Sequence, residues 1–283
     1  MYQDGDRLAH WGLQQSPFDD TCNPRVYYPS PEHERAVHRM VYLCRQANAP
    51  FGLLTGEVGC GKSLVARIVA QRIEDPDRLV IWLPNSHFSF PHLLAEIISQ
   101  VVNDGIDFDT YDEYVLTKAF ARVLEQTIAG QRKRMVVVLD EAQEMSDESL
   151  RRLRLLTNLG DDLALPLTFL LVGHPVLHER LRRQPALDQR IDRRYHLGPL
   201  DAAQARALLQ HRLDAAGDPP ERIFDEDCLD SLYEVSEGVP RRLCRYARLA
   251  MDNAFTHGAT RVDAACLEEI LADERRLDLP VRT

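Results

Sequence analysis

Lysine is nearly missing from this sequence: among 34 basic residues only Lys62, Lys118 and Lys133 are not arginine. Positive charge is also the minority sign. Acids number 44, so the formal net charge is −10. Such a chain does not hold nucleic acid by bulk charge, although a local basic face stays open. No apolar run approaches the roughly 18 residues needed to cross a bilayer. The opening Met1-Tyr2-Gln3-Asp4-Gly5-Asp6 is polar and acidic, unlike a secretory leader, so a cytoplasmic protein is expected. None of the six cysteines (Cys22, Cys44, Cys60, Cys228, Cys244, Cys266) forms a C-x-x-C pair. That removes the usual signals of a zinc site or a disulfide framework. Internal repeats and low-complexity tracts are absent as well.

What is present is enough for a packed core. Hydrophobic residues make up 45% of 283, which suits one α/β domain with a smaller appendage. The chain is organised around Gly56-Glu57-Val58-Gly59-Cys60-Gly61-Lys62-Ser63, which fills every fixed position of G-x-x-x-x-G-K-[ST]. Phe51 to Leu54 leads in as a buried strand. Leu64 to Ile73 leads out with helical periodicity. Glycines let backbone N–H groups curl round a polyphosphate, and the helix start points its positive end at the same place. Lys62 reaches the β/γ oxygens in this reading, and the Ser63 hydroxyl ligates Mg²⁺. Cys60 sits where a thiolate is stabilised; the simpler reading is a small residue that fits.

Residues 1–29 carry Trp11, Phe18, Tyr27 and Tyr28 among prolines and read as an irregular arm packed on the core. Ser30-Pro31-Glu32 opens a helix. After the loop, strands are expected at Leu79–Leu83, Met135–Leu139, Leu167–Val172 and Tyr195–Leu197. Helices are expected at Phe90–Val102, Tyr111–Ile128 and Ser146–Leu159, with a loop at Asn103–Thr110. Alternating strands and helices require a parallel sheet covered on both faces. Beyond Gly198-Pro199 only helices are expected: Asp201–Ala216, Asp225–Ser236, Pro240–His257 and Asp263–Ala272. The expected division is an arm (1–29), an α/β core (30–198) and a helical lid with a short tail (199–283).

Asp140 and Glu141 end a buried strand, where ligands of open α/β sheets bind. An Asp there can hold Mg²⁺, and the neighbouring Glu can deprotonate a water. His174 follows another buried strand; it either holds the attacking water and reports nucleotide state, or is a turn histidine. Arg190, with Arg193 and Arg194 as competitors, lies at the far edge of the core and could reach a neighbouring subunit's nucleotide. Arg241 opens a helix of the α region and could tie lid position to phosphate.

At this point the residues resemble a family. The segments GEVGCGKS and VVVLDEAQ look like the Walker A and Walker B segments of AAA+ ATPases, a P-loop NTPase fold. The likeness is nearest to the GspA/ExeA-like branch, through WGLQQSPFDDTCNPRVYYPSPEHERAV, LLTGEVGCGKS, LDEAQEMSDESLRRLRLLTNL, LDQRIDRRYHLGPL and GVPRRLCRYA. The core is also similar to transposition-regulator ATPases of the TnsC/TniB kind and to origin-recognition ATPases. The resemblance implies a five-stranded parallel sheet of order 5-1-4-3-2, an ATP site between subunits and nucleotide-dependent self-association. It implies Gly56, Glu57, Val58, Gly59, Cys60, Gly61, Lys62, Ser63 and Leu64 around ATP, with Mg²⁺ held by Ser63 and Asp140. It places Glu141 as base, His174 at sensor 1, Arg190 at the finger and Arg241 at sensor 2. It departs from the family in His174, where Gln is usual, and in Cys60 and Ser63, where Thr is commoner. The transmembrane and wall-binding regions of secretion members are not matched, so a secretion role is not carried over. The reading is an ATPase that passes a change in core–lid angle to a protein partner. Two alternatives stand: an ATP-dependent DNA-binding regulator using Arg151, Arg152 and Arg154, and a nucleotide-gated scaffold with little turnover.

Overall fold

The computed structural model describes residues 4–19, 22–46, 49–84, 88–102, 112–129, 133–159, 167–217 and 223–277. In chain order the elements are α1 (Asp4–His10), α2 (Pro31–Arg45), β1 (Phe51–Gly56), α3 (Lys62–Arg72), β2 (Arg78–Leu83), α4 (Phe90–Val102), α5 (Glu113–Val123), β3 (Arg134–Leu139), α6 (Asp147–Leu156), β4 (Leu167–Gly173), α7 (Val176–Arg182), α8 (Pro185–Asp188), β5 (Ile191–Leu197), α9 (Ala202–Ala216), α10 (Glu226–Ser236), α11 (Pro240–Thr256) and α12 (Ala264–Leu277). They form two units: residues 31–58 with 62–197, and residues 1–30 with 59–61 and 198–283.

The first unit is a parallel sheet in the order β2-β3-β4-β1-β5, the 5-1-4-3-2 order read from the other edge. β1 and β4 are buried along their whole length, which is why they read as unbroken apolar runs. Phe51, Leu53, Val137, Leu139, Phe169 and Leu171 share one face, packed with α4, α5 and α6 residues such as Leu94, Phe120 and Leu153. Phe51 and Phe169 stack with centroids 5.4 Å apart. α2 and α3 belong to this unit too and pack on each other and on β1. Crossing order puts β4 between β3 and β1, so the C-terminal ends of those three strands lie side by side.

Two expected boundaries shift. β5 begins at Ile191, four residues before the expected Tyr195, because Asp192, Arg193 and Arg194 occupy an edge strand that pairs with β1 alone. Charges are tolerated on such an edge and hide the strand from a hydrophobic reading. The helix expected to run through Ile128 ends at Val123 and continues as a π-type turn over Leu124–Ala129. The loop expected at Asn103–Thr110 lies outside the described residues.

The arm is irregular only in part, and its buried aromatics pack within the second unit. It contains α1 and a short 3-10 turn at Pro24–Val26. Trp11, Leu13 and Phe18 are buried with Leu208, Leu213, Phe224, Leu232, Leu243 and Met251 of the second unit. The arm supplies two of the largest fully buried side chains of this core, Trp11 and Phe18. Leu13 bridges to Gly217, and Gln14 donates to the Ala216 carbonyl at 2.8 Å. Asp201 caps α9 by accepting from the Gln204 N–H at 2.8 Å. Pro240 opens α11, the helix that contacts α1, α9, α10 and α12. Among the described residues, no helix is long and apolar enough to cross a membrane.

Candidate nucleotide site

The phosphate loop leaves β1 after Gly56 and enters α3 at Lys62, the strand–loop–helix context the motif requires. Gly59 and Gly61 hold φ of 87° and 93°, a region that side chains disfavour and that the backbone of an anion cradle uses. Lys62 is only 7% exposed, and its ammonium donates to the Glu57 carbonyl at 3.0 Å. The lysine therefore folds back along its own loop.

Asp140 follows the last residue of β3 and is buried. Burial is the main cause that raises its carboxyl above the usual range. The Ser63 hydroxyl, the Glu141 N–H and the Lys62 charge pull it down, while the Glu141 carboxylate adds to the rise. A desolvated carboxylate bonded to a hydroxyl is an oxygen donor set suited to a hard divalent cation. The two residues chosen for Mg²⁺ thus stand together, and they fit it.

Glu141 departs from ordinary backbone geometry. Its φ of 51° and ψ of 38° place it in the left-handed region, rare for a non-glycine residue and typical of functional turns. The turn is held from three sides. The Glu141 N–H donates to Asp140 Oδ1 at 3.0 Å. Gln143 Nε2 donates to Glu141 Oε2 at 2.6 Å. Arg180 of α7 donates to the Gln143 and Met145 carbonyls, each at 2.6 Å, and pairs with Asp147.

His174 follows β4, which does lie beside β1. Its N–H donates to Gln143 Oε1 at 3.0 Å, and its Nε2 lies 2.9 Å from Glu57 Oε2. A continuous polar chain therefore runs from Glu57 through His174 and Gln143 to Glu141. Gln143 and Arg180 were missed in the sequence. Gln143 stands in the quoted LDEAQ, but nothing in its spacing says that its side chain turns back toward Glu141. Arg180 lies in a stretch to which no element was assigned.

An AAA domain matches residues 45–181, which begin just before β1 and end within α7. Over 255 residues the chain is 34% identical to the general secretion pathway protein A of Aeromonas hydrophila, covering 89% of this chain and 45% of that one. Residues 45–181 thus carry an AAA domain, and the chain is similar to the GspA/ExeA-like branch of the AAA+ ATPases. It spans less than half the length of the curated relatives it matches. Two solved structures share its fold with a TM-score of 0.68 each. The Aeropyrum pernix ORC2 protein, in ADPNP–ADP complexes, is 17% identical over 92% of this chain and 71% of that one. The Aeropyrum pernix ORC1 protein in complex with DNA is 19% identical over 95% and 73%. At those identities the likeness concerns fold alone.

The remaining candidates of this chain do not join the cluster in the first unit. Arg190 is half-buried and donates to Thr157 Oγ1 at 2.6 Å and to the Arg154 carbonyl at 3.3 Å, tying it to the end of α6. Arg193 pairs with Asp192 and lies over the Tyr42 ring. Arg194 pairs with Asp188 at 2.9 Å. Arg241 belongs to the second unit, where its N–H donates to the Gly59 carbonyl at 3.2 Å. Of the arginines considered for DNA, Arg151 pairs with Glu148, and Arg152 with Glu148 and Glu113.

Proposed function

We propose that this chain binds MgATP on the 56–64 loop and hydrolyses it to ADP and phosphate, using the nucleotide cycle to switch assembly with itself and with a protein partner. The observation that supports this most is the convergence of Lys62, the Ser63–Asp140 pair and Glu141 at adjoining strand ends. Lys62 and the loop amides would hold the phosphates. Ser63 and Asp140 would hold Mg²⁺, which neutralises charge on the β/γ oxygens. Glu141 would take a proton from the attacking water. Arg190 would serve a neighbour's γ-phosphate, leaving its bonds to Thr157 and the Arg154 carbonyl. His174 would respond to the same phosphate, and Arg241 would couple the helical unit to nucleotide.

The test is a mixing experiment. Glu141→Gln should bind ATP and stop turnover, since a general base contributes roughly 10²–10⁴ in rate. Arg190→Ala keeps the base, and Glu141→Gln keeps the finger, so mixing the two inactive proteins should recover activity. A mixture as inactive as its parts removes the trans role. Unchanged turnover in Glu141→Gln removes the base. The intact Glu141 disfavours a scaffold with little turnover. DNA binding is disfavoured by the net charge and by the ion pairs of Arg151 and Arg152; salt-dependent affinity appearing only with ATP would restore it.

A further inference from the structure

We infer that Gln143 is the positioning residue of Glu141, coupling its carboxylate to the end of β4 and, through His174, to the phosphate loop. The inference rests on the reading of Glu141 as base. One amide group serves both directions. Its nitrogen faces carboxylates, Glu141 Oε2 at 2.6 Å and Glu144 Oε1 at 3.4 Å. Its oxygen accepts the His174 N–H at 3.0 Å. That division of donors and acceptor admits one orientation of the amide, because the flipped form would set its oxygen against a carboxylate and its NH₂ against an N–H. The Gln143 carbonyl, meanwhile, accepts from Arg180, so backbone and side chain are both tied.

The sheet leaves room for this amide at one place. A Cβ on Gly173 would lie 2.5 Å from Gln143 Oε1 and 3.3 Å from the Gln143 N. Gly173 has no left-handed φ to justify it. Its service is the close approach of the Gln143 side chain to the last residue of β4. Glu141 is exposed, so no packing fixes its carboxylate and an external hold is needed to keep one direction. The partner on the far side is His174, whose Nε2 meets Glu57 of the phosphate loop at 2.9 Å. The His174 ring meets Glu57 and its main-chain N–H meets Gln143, so a phosphate that shifts the residue as a whole, backbone included, would be felt at Glu141 through one intervening residue.

The experiment is steady-state ATPase kinetics on the full chain with nucleotide affinity measured in parallel. Gln143→Ala should lower kcat by roughly 10- to 100-fold, the scale of a misplaced reacting group, while the nucleotide Kd changes less than about twofold. Gln143→Glu keeps the acceptor for His174 but cannot donate to Glu141, and should fall in kcat as Gln143→Ala does. Gly173→Ala, which displaces the amide without removing it, should reproduce the loss in part. In a Glu141→Gln background, Gln143→Ala should add nothing. A kcat equal to or above that of the parent in both Gln143 variants overturns the positioning role while leaving Glu141 as base. Additive losses in the double variant overturn it as well. Turnover that survives Glu141→Gln fails the underlying reading instead, and the two failures are told apart by that single variant.

Discussion

Gly56→Ala isolates how tightly the phosphate loop is anchored to the sheet. Gly56 is the last residue of β1 and pairs with Leu197 of β5. A Cβ there would lie 2.4 Å from the Leu197 carbonyl oxygen and 3.3 Å from its Cβ. The oxygen is backbone, so relief requires the two strands to part at the point where the loop departs. Overpacking of this kind costs about 1–3 kcal/mol, and one loosened ladder bond adds about 1 kcal/mol, so about 2–4 kcal/mol is expected. Gly198→Ala is the matched control, since no atom lies within 4 Å of a Cβ there and no left-handed φ is present. It should be neutral or stabilising by up to about 1 kcal/mol through the unfolded chain. The two tryptophans make the assay specific, because Trp11 lies in one unit and Trp82 in the other. In a Trp11→Phe background, Trp82 fluorescence reports the sheet alone. Urea midpoints should fall by about 1–2 M for Gly56→Ala and stay nearly constant for Gly198→Ala. Equal midpoints for the two variants would refute the close-approach argument.

Further outcomes follow from the same contacts. Lys62→Ala should abolish tight ATP binding, measured by equilibrium titration; retained micromolar affinity would contradict the assignment. Arg180→Ala should lose about 2 kcal/mol, chiefly from its two carbonyl bonds, because Asp147 is largely exposed and contributes little; a change under 0.5 kcal/mol in thermal denaturation would discount the clamp. Burial pushes the Cys44 and Cys228 thiols up from 9.0 to about 12. Their stability is complete below pH 9 and is lost as pH rises toward 12, because the unfolded thiol ionises first, at about 1.4 kcal/mol per pH unit for each. Cys44→Ala should flatten that loss in the Trp82 signal and Cys228→Ala in the Trp11 signal; unaltered alkaline slopes would show that other groups set them.

How much was legible depended on whether the information was local. β1, β3 and β4 announced themselves because strands covered on both faces need uninterrupted apolar residues, as in Met135–Leu139. The loop was legible because its glycines, Lys62 and Ser63 are adjacent in sequence and form one contiguous motif. The strand order followed from family resemblance, since pairing between distant strands leaves no trace in periodicity. β5 was cut short because an edge strand may carry Arg193 and Arg194 at no cost, and the arm was misplaced because Trp11 and Phe18 declare burial without declaring against what.

Sequence alone therefore determined the fold class, the phosphate loop and the acids that follow β3, because hydrophobic runs and a contiguous motif encode them. Tertiary structure decided the rest. The crossing that sets β4 between β3 and β1 brings residues 57, 141, 143 and 174 within hydrogen-bonding distance in series. It also decided that the left-handed turn at Glu141 is held by an amide two residues on and by an arginine from α7. Directions of side chains at these strand ends arise from packing between segments 31 to 117 residues apart, and no reading of one segment contains them.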